Sequence, residues 1–301
     1  MVYDVIIIGG GTAGLSAALY TLRGGLSTLL LEAEVHGGQI IVSPEVENYP
    51  ALPKISGAEY AQQLLEQVES IGLQIKYEAA EAIEPQAEIK TVRTAYAEYQ
   101  ARTLIWAVGV SPRRLNCPGE EKFLGRGVSF CATCDGALYK GKEVAVIGGG
   151  NTALEEALFL AGICSRVHLI HRRESFRAEA ALQQRVAAEE KIVSYMSAEV
   201  AEFVGDKRVR ELRLQTPGGE QLLAVDGAFL AVGRLPANEI LRPYVLLDDA
   251  GYVQAGEDCR TKTPGFFVAG DCRTKPLRQL VTAAADGAVA ATAAIAYLRG
   301  A

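Results

Sequence analysis

The chain has 301 residues, about two domains' worth, and 49% of them are hydrophobic against 22% charged, which excludes a disordered chain and a small disulfide-stapled scaffold. Its 30 Lys and Arg face 36 Asp and Glu, a net charge of −6 with no basic block, which argues against nucleic acid as a partner. The 31 glycines exceed the usual share of about 7%, and their placement carries the rest of the reading.

At the start of the chain, the apolar run Val5–Ile8 is too short for a signal peptide or a membrane span, and no basic segment precedes it. A cytoplasmic location is expected. The run reads as a buried strand, followed by Gly9-Gly10-Gly11-Thr12-Ala13-Gly14 and an apolar pattern of helical period. In such a turn the first glycine permits the tight bend, Gly11 lets backbone approach a pyrophosphate, and Gly14 lets helix pack on strand, while the helix N-terminus attracts the anion. The next apolar run, Thr28–Leu31, ends in Glu32, spaced to accept from a ribose hydroxyl. Alternating segments Glu88–Thr94 and Glu98–Val108 predict an antiparallel hairpin.

Further on, Cys131-Ala132-Thr133-Cys134-Asp135 brings two thiols close enough for a small disulfide ring, and thiols in such motifs often ionise readily. Zinc is the competing reading, but His36, His168 and His171 lack ligand spacing and no metal site is expected. Asp135 is either a proton donor or a polar turn residue. The other four cysteines are scattered singly.

Residues 144–159 then repeat 5–20 at an offset of 139, with Gly148-Gly149-Gly150-Asn151-Thr152-Ala153 as a second glycine turn. Glu32 maps onto His171, which opens a cationic cluster with Arg172, Arg173 and Arg177. Cations there suit a 2′-phosphate, so NADPH is expected over NADH. Arg208–Gln215 and Gln221–Val232 predict a second hairpin, and the exits Thr103–Pro112 and Ala228–Pro236 echo each other. The C-terminal run Leu280–Leu298 is alanine-rich and carries Asp286, which suits a buried helix better than a lipid-facing one. Two dinucleotide turns and a dithiol together read as an electron relay.

The two glycine turns, CATCDG, HRRESFRA, FFVAGDC and RQLVTAAADGAVAA in this order resemble the low-molecular-weight, prokaryote-type thioredoxin reductases over essentially the whole chain. The resemblance implies an α/β protein of two Rossmann-like domains of the three-layer ββα type. An NADPH domain, 113–242, carrying the CxxC, would be inserted in a discontinuous FAD domain, 1–112 and 243–301, with hinges near Pro112–Cys117 and Leu241–Pro243. It implies a homodimer that reduces thioredoxin, a glutaredoxin-like or peroxidase partner being the variant reading and a flavin-based sensor another. Gly9, Gly11, Thr12, Ala13, Gly14 and Glu32 would hold the adenine half of FAD, with Gly38, Gln39, Asn48, Gly109, Asp271, Arg278 and Gln279 along the rest. Gly148, Gly150, Asn151, Thr152, His171, Arg172, Arg173 and Arg177 would bind NADPH. Cys134 would face the flavin, Cys131 would attack the partner protein and Asp135 would donate the proton. Arg126 matches a position that meets thioredoxin, whereas Ala137-Leu138 replaces a Phe-Phe pair common in the family.

Overall fold

The computed structural model describes residues 1–43 and 45–300. By contact it divides into two compact units: Met1–Pro44, Tyr49–Ser111 and Leu235–Ala301 form the first, Glu45–Asn48 and Pro112–Arg234 the second.

The first unit is built on a parallel sheet ordered Gln74–Tyr77, Thr28–Glu32, Val2–Ile8, Glu98–Trp106, with Phe266–Val268 beside the far half of the last strand. Ile8 pairs with both Leu31 and Trp106, so three strands end level where the first glycine turn begins. Val5–Ile8 and Thr28–Leu31 are buried on both faces, which is why they read as unbroken apolar runs. The expected hairpin forms from Lys90–Arg93 and the near half of Glu98–Trp106, and Ala82–Glu84 extends it.

Helices Thr12–Arg23 and Leu280–Leu298 pack closely in this unit. A Cβ on Gly287 would lie 2.2 Å from the Ala13 carbonyl oxygen, so only glycine permits the approach. The C-terminal helix buries Asp286, Gly287, Ala290, Ala291 and Ala294, and Gln279 with Thr282 forms its capping box. It is not wholly buried, as its sequence implied. Val281, Ala285, Val289 and Tyr297 remain exposed along the opposite face.

The second unit repeats the plan, with parallel strands ordered Ile192–Met196, Arg166–His171, Glu143–Ile147, Gly227–Leu230, Val128–Ser129 and helix Asn151–Ala161 following the central strand. Three antiparallel strands, Glu199–Gly205, Val209–Thr216 and Gly219–Ala224, form a separate layer. The stretch expected to run as one strand from Gln221 breaks at Val225-Asp226, because Asp226 N–H turns onto the Glu143 carbonyl and feeds Gly227–Leu230 into the parallel sheet.

The returning crossing lies at Arg234-Leu235, earlier than the residue 243 expected. Asn238 explains this: its side chain accepts from Trp106 Nε1 at 3.0 Å and donates to the carbonyls of Gly251 at 2.9 Å and Cys272 at 2.8 Å. Leu241 and Val245 are buried in the first unit's core, so Leu241 is an anchored residue and not part of a hinge.

Candidate functional site

In the first glycine turn the steric demands are explicit. A Cβ on Gly9, whose φ is +108°, would lie 2.4 Å from the Ala107 carbonyl oxygen, and one on Gly14 would lie 1.8 Å from the Gly9 carbonyl oxygen. Gly11 meets no such wall, its hypothetical Cβ finding only the Gly37 carbonyl oxygen at 3.8 Å. The loop carrying Gly38 lies along this opening, through Gly37 N–H on the Gly10 carbonyl at 2.8 Å. Thr12 and Ala13 are buried at the helix start. Glu32 accepts from Gly10 N–H at 2.5 Å and from Glu34 N–H at 2.9 Å, which fixes its carboxylate beside the turn.

Other candidates converge on the same end of the sheet. A Cβ on Gly270 would meet Ala13 Cβ at 2.9 Å, so the Gly270–Cys272 turn that carries Asp271 abuts the start of helix Thr12–Arg23. That turn is tied down by Asp286, which accepts from Gly270 N–H at 2.9 Å, Arg273 Nε at 2.8 Å and Nη2 at 2.7 Å, and Lys275 Nζ at 2.9 Å. Burial alone would raise the Asp286 carboxyl, but the two cations outweigh it and hold it below the usual carboxylate range. Arg278 donates to the Asp271 carbonyl at 3.2 Å and lies over the Tyr252 ring at 4.0 Å, while Gln279 caps the C-terminal helix. Gln39 donates from its amide to the Val110 carbonyl, and Gly109, with φ +66°, faces open space. Asn48 is exposed.

The second turn is finished differently. Gly148 packs against the Ala231 carbonyl, whereas a Cβ on Gly150 would meet nothing within 4 Å. Thr152 is exposed beside it. Asn151 exchanges hydrogen bonds with Glu179, accepting from its N–H at 2.9 Å and donating to Oε1 at 3.1 Å, so its amide is already engaged. Arg172, Arg173 and Arg177 are exposed, and Arg177 N–H donates to the Gly149 carbonyl at 2.7 Å, fixing the arginine loop to the turn. None of the three guanidiniums forms an ion pair among the described residues, in contrast to Arg213 or Arg242.

His171 corrects the expectation of a four-membered cationic cluster. It is buried, stacked on Phe176, and its Nε2 lies 3.1 Å from the Ser175 carbonyl oxygen. Burial, with Arg177, Arg173 and Arg172 adding to it, pushes its pKa down against the pull of that carbonyl. The ring is a neutral packing element and the cluster begins at Arg172.

Cys131 and Cys134 are joined in a disulfide with Cα atoms 5.3 Å apart, at the start of the short helix Ala132–Asp135. Ser129, unremarked in the sequence, organises this turn. Its Oγ accepts from Cys131 N–H at 3.1 Å and donates to Asp135 Oδ2 at 2.6 Å. Asp135 is buried, its Oδ1 has no partner among the described residues, and burial raises its pKa against the opposing Ser129 bond. It is therefore a carboxyl that holds a proton more readily than a surface aspartate. A serine two residues before a CxxC was the available signal, but only its contact with Asp135 gives it meaning. The remaining cysteines are free, and burial pushes their thiols up, Cys117 to about 11 and Cys259 and Cys272 to about 12, which makes them poor nucleophiles.

Comparison with known proteins agrees with this arrangement. Residues 3–288 match the family described as pyridine nucleotide-disulphide oxidoreductase. A thioredoxin reductase of Listeria monocytogenes is 42% identical over 300 residues, covering 99% of this chain and 94% of the relative. One of Treponema pallidum is 41% identical over 300 residues, covering 98% and 97%. The crystal structure of thioredoxin reductase from Streptococcus pyogenes superposes with a TM-score of 0.96 at 37% identity, over 100% of this chain and 99% of that one.

Proposed function

The chain belongs to the pyridine nucleotide-disulphide oxidoreductase family, and from that premise we propose that it is an NADPH-dependent flavoprotein that reduces the disulfide of thioredoxin or a thioredoxin-like protein. The observation that carries the reading is the Cys131–Cys134 disulfide backed by a buried acid, in a unit that also holds an open glycine turn and three arginines that form no ion pair among the described residues.

Both cofactors fit the residues present. Gly11 and Gly150 are the two fingerprint glycines whose missing Cβ is uncrowded at a helix start, Gly150 facing open space and Gly11 meeting only the Gly37 carbonyl oxygen at 3.8 Å, the cradle a pyrophosphate needs. FAD would be held by Gly9, Gly11, Thr12, Ala13, Gly14 and Glu32, with Gly38, Gln39, Gly109, Asp271, Arg278 and Gln279 along its length. NADPH would lie on Gly148, Gly150 and Thr152, with Arg172, Arg173 and Arg177 on its 2′-phosphate. Bound together, the pair supplies a hydride and delivers two electrons toward a disulfide.

The chain's own residues do the remainder. Opening the Cys131–Cys134 bond takes up two electrons and two protons, and Asp135 holds one proton at Oδ1 because Ser129 occupies Oδ2 with its own hydrogen. Cys131 attacks the partner's disulfide and Cys134 closes the ring again, releasing the reduced partner. Thr133, Ala137 and Arg126 are exposed and Leu138 is half-buried, which leaves them accessible to such a partner. The exposed apolar stripe Val281, Ala285, Val289 and Tyr297 fits a second copy of the chain as a homodimer. Free cysteines and a dithiol that must cycle suit the cytoplasm.

Purified protein should be yellow and should oxidise NADPH continuously when oxidised thioredoxin is added, with Cys131→Ser reducing that rate to background. A colourless protein, or one reduced once by NADPH without turnover, refutes the reading.

A further inference from the structure

Helix Asn151–Ala161 turns one stripe toward the redox turn. Ala153, Ala157 and Leu160 are fully buried in the cluster that contains Ala132. A Cβ on Gly136, just past Asp135, would meet Leu160 Cδ2 at 3.0 Å and Phe159 Cε1 at 3.2 Å, so turn and helix touch. Helical spacing puts position 156 on the same stripe, where packing calls for an apolar side chain. Glu156 stands there instead. Its Oε2 is shut off from water and has no hydrogen-bond partner among the described residues. The backbone of Ala132, the residue after Cys131, lies near enough to the carboxyl to favour its charged form. Burying a carboxylate with an incomplete set of partners costs free energy, and breaches of local packing rules of this kind concentrate at working sites.

We propose that Glu156 is a positioning residue for the redox turn: it holds the Cys131-Ala132 peptide through the Ala132 N–H, and its protonation is coupled to ionisation of the Cys131 thiol. This rests on Cys131–Cys134 being the working disulfide. When that bond is broken by two electrons and two protons, an anionic carboxylate beneath the turn opposes a Cys131 thiolate, and a neutral one does not. Burial pushes the Glu156 carboxyl up to about 7, against the Ala132 N–H and Arg234 and with help from Glu155, so both forms exist at neutral pH. Asp135 is the other buried acid of the turn, and neutral His171 packs at the helix's opposite end, against Gly149.

The test is the pH profile of Cys131 alkylation by iodoacetamide in the full-length, flavin-loaded protein reduced with dithiothreitol, read by peptide mass spectrometry. Glu156→Gln keeps an acceptor for the Ala132 N–H and removes the charge. It should abolish the inflection near pH 7 and shift the thiol's apparent pKa down by about one unit. Glu156→Ala should show the same shift and also accelerate alkylation of both thiols through a looser turn. A Glu156→Gln profile superimposable on that of the unsubstituted protein overturns the proposal, whatever Glu156→Ala does to stability. Alkylation needs neither NADPH nor thioredoxin, so failure of the functional reading shows separately, as absent turnover in the unsubstituted protein.

Discussion

In the first glycine turn, the residue ending the second strand, Glu32, takes a hydrogen bond from Gly10 N–H; 139 residues on, His171 presses its ring on Gly149 so closely that a Cβ there would lie 2.3 Å from it. The position does the same structural work in both copies, closing the middle glycine against the strand end. Its chemistry toward a ligand differs. The first copy offers a carboxylate there; the second offers a neutral ring and leaves charge to the arginines that follow. A repeat offset therefore transfers scaffold roles reliably and ligand roles only where the side chain also faces the ligand.

Alanine at the crowded and open glycines gives the largest contrast. Gly14→Ala places a methyl 1.8 Å from the Gly9 carbonyl oxygen, against backbone that cannot yield, and should give protein without bound flavin, measured as the ratio of visible to 280 nm absorbance. Gly150→Ala meets open space and should fold with its full flavin content while raising the KM for NADPH. Equal flavin loss in both would mean that the two turns do not serve different ligands.

Next in size is the anchor under the Gly270–Cys272 turn. Asp286→Ala leaves Arg273, almost fully buried, without its bidentate partner, and should lower unfolding stability by about 3–5 kcal/mol in chemical denaturation. Glu156→Gln, the matching removal of a buried charge from the second unit, should not destabilise at neutral pH, because that carboxyl has no bidentate cation to strand.

Cofactor choice tests where the cationic cluster begins. Replacing Arg172 and Arg173 together by Ala should lower the NADPH-to-NADH ratio of kcat/KM by about ten- to a hundredfold, the worth of charge-assisted phosphate contacts. His171→Asn should change that ratio by less than about threefold. A larger effect from His171 would return it to the phosphate site.

The glycine turns, their strands and the Cys131–Cys134 pair are legible in sequence because they are local: strand, turn and helix follow one another along the chain and each leaves its own period. Ser129, Glu156 and Asp286 are silent because their partners are set by packing. Asp286 reads as an argument against lipid, and nothing in the letters says that Arg273 and Lys275 both close on it. The misplaced return at 243 has the same cause. Nothing in the letters marks Asn238, and its bond to Trp106, 132 residues away, exists only in the fold. His171 shows the reverse error, a residue type read as charge where burial makes it neutral.

The smallest effect is a pair of opposed pH slopes. A histidine whose folded pKa is lowered binds its proton less readily than in the unfolded chain, so its contribution falls as pH drops below about 6.5 toward the folded value. Glu156 runs the other way: the folded carboxyl keeps its proton up to about 7 while the unfolded one releases it near 4.5, so stability falls as pH rises across that window. Thermal melts of the unsubstituted protein against His171→Asn should therefore diverge on acidification, with the unsubstituted protein losing ground. Against Glu156→Gln the divergence should come on alkalinisation. Parallel curves for His171→Asn from pH 5 to 8 would mean that the ring titrates alike in the folded and unfolded chain, so that burial would not set its charge.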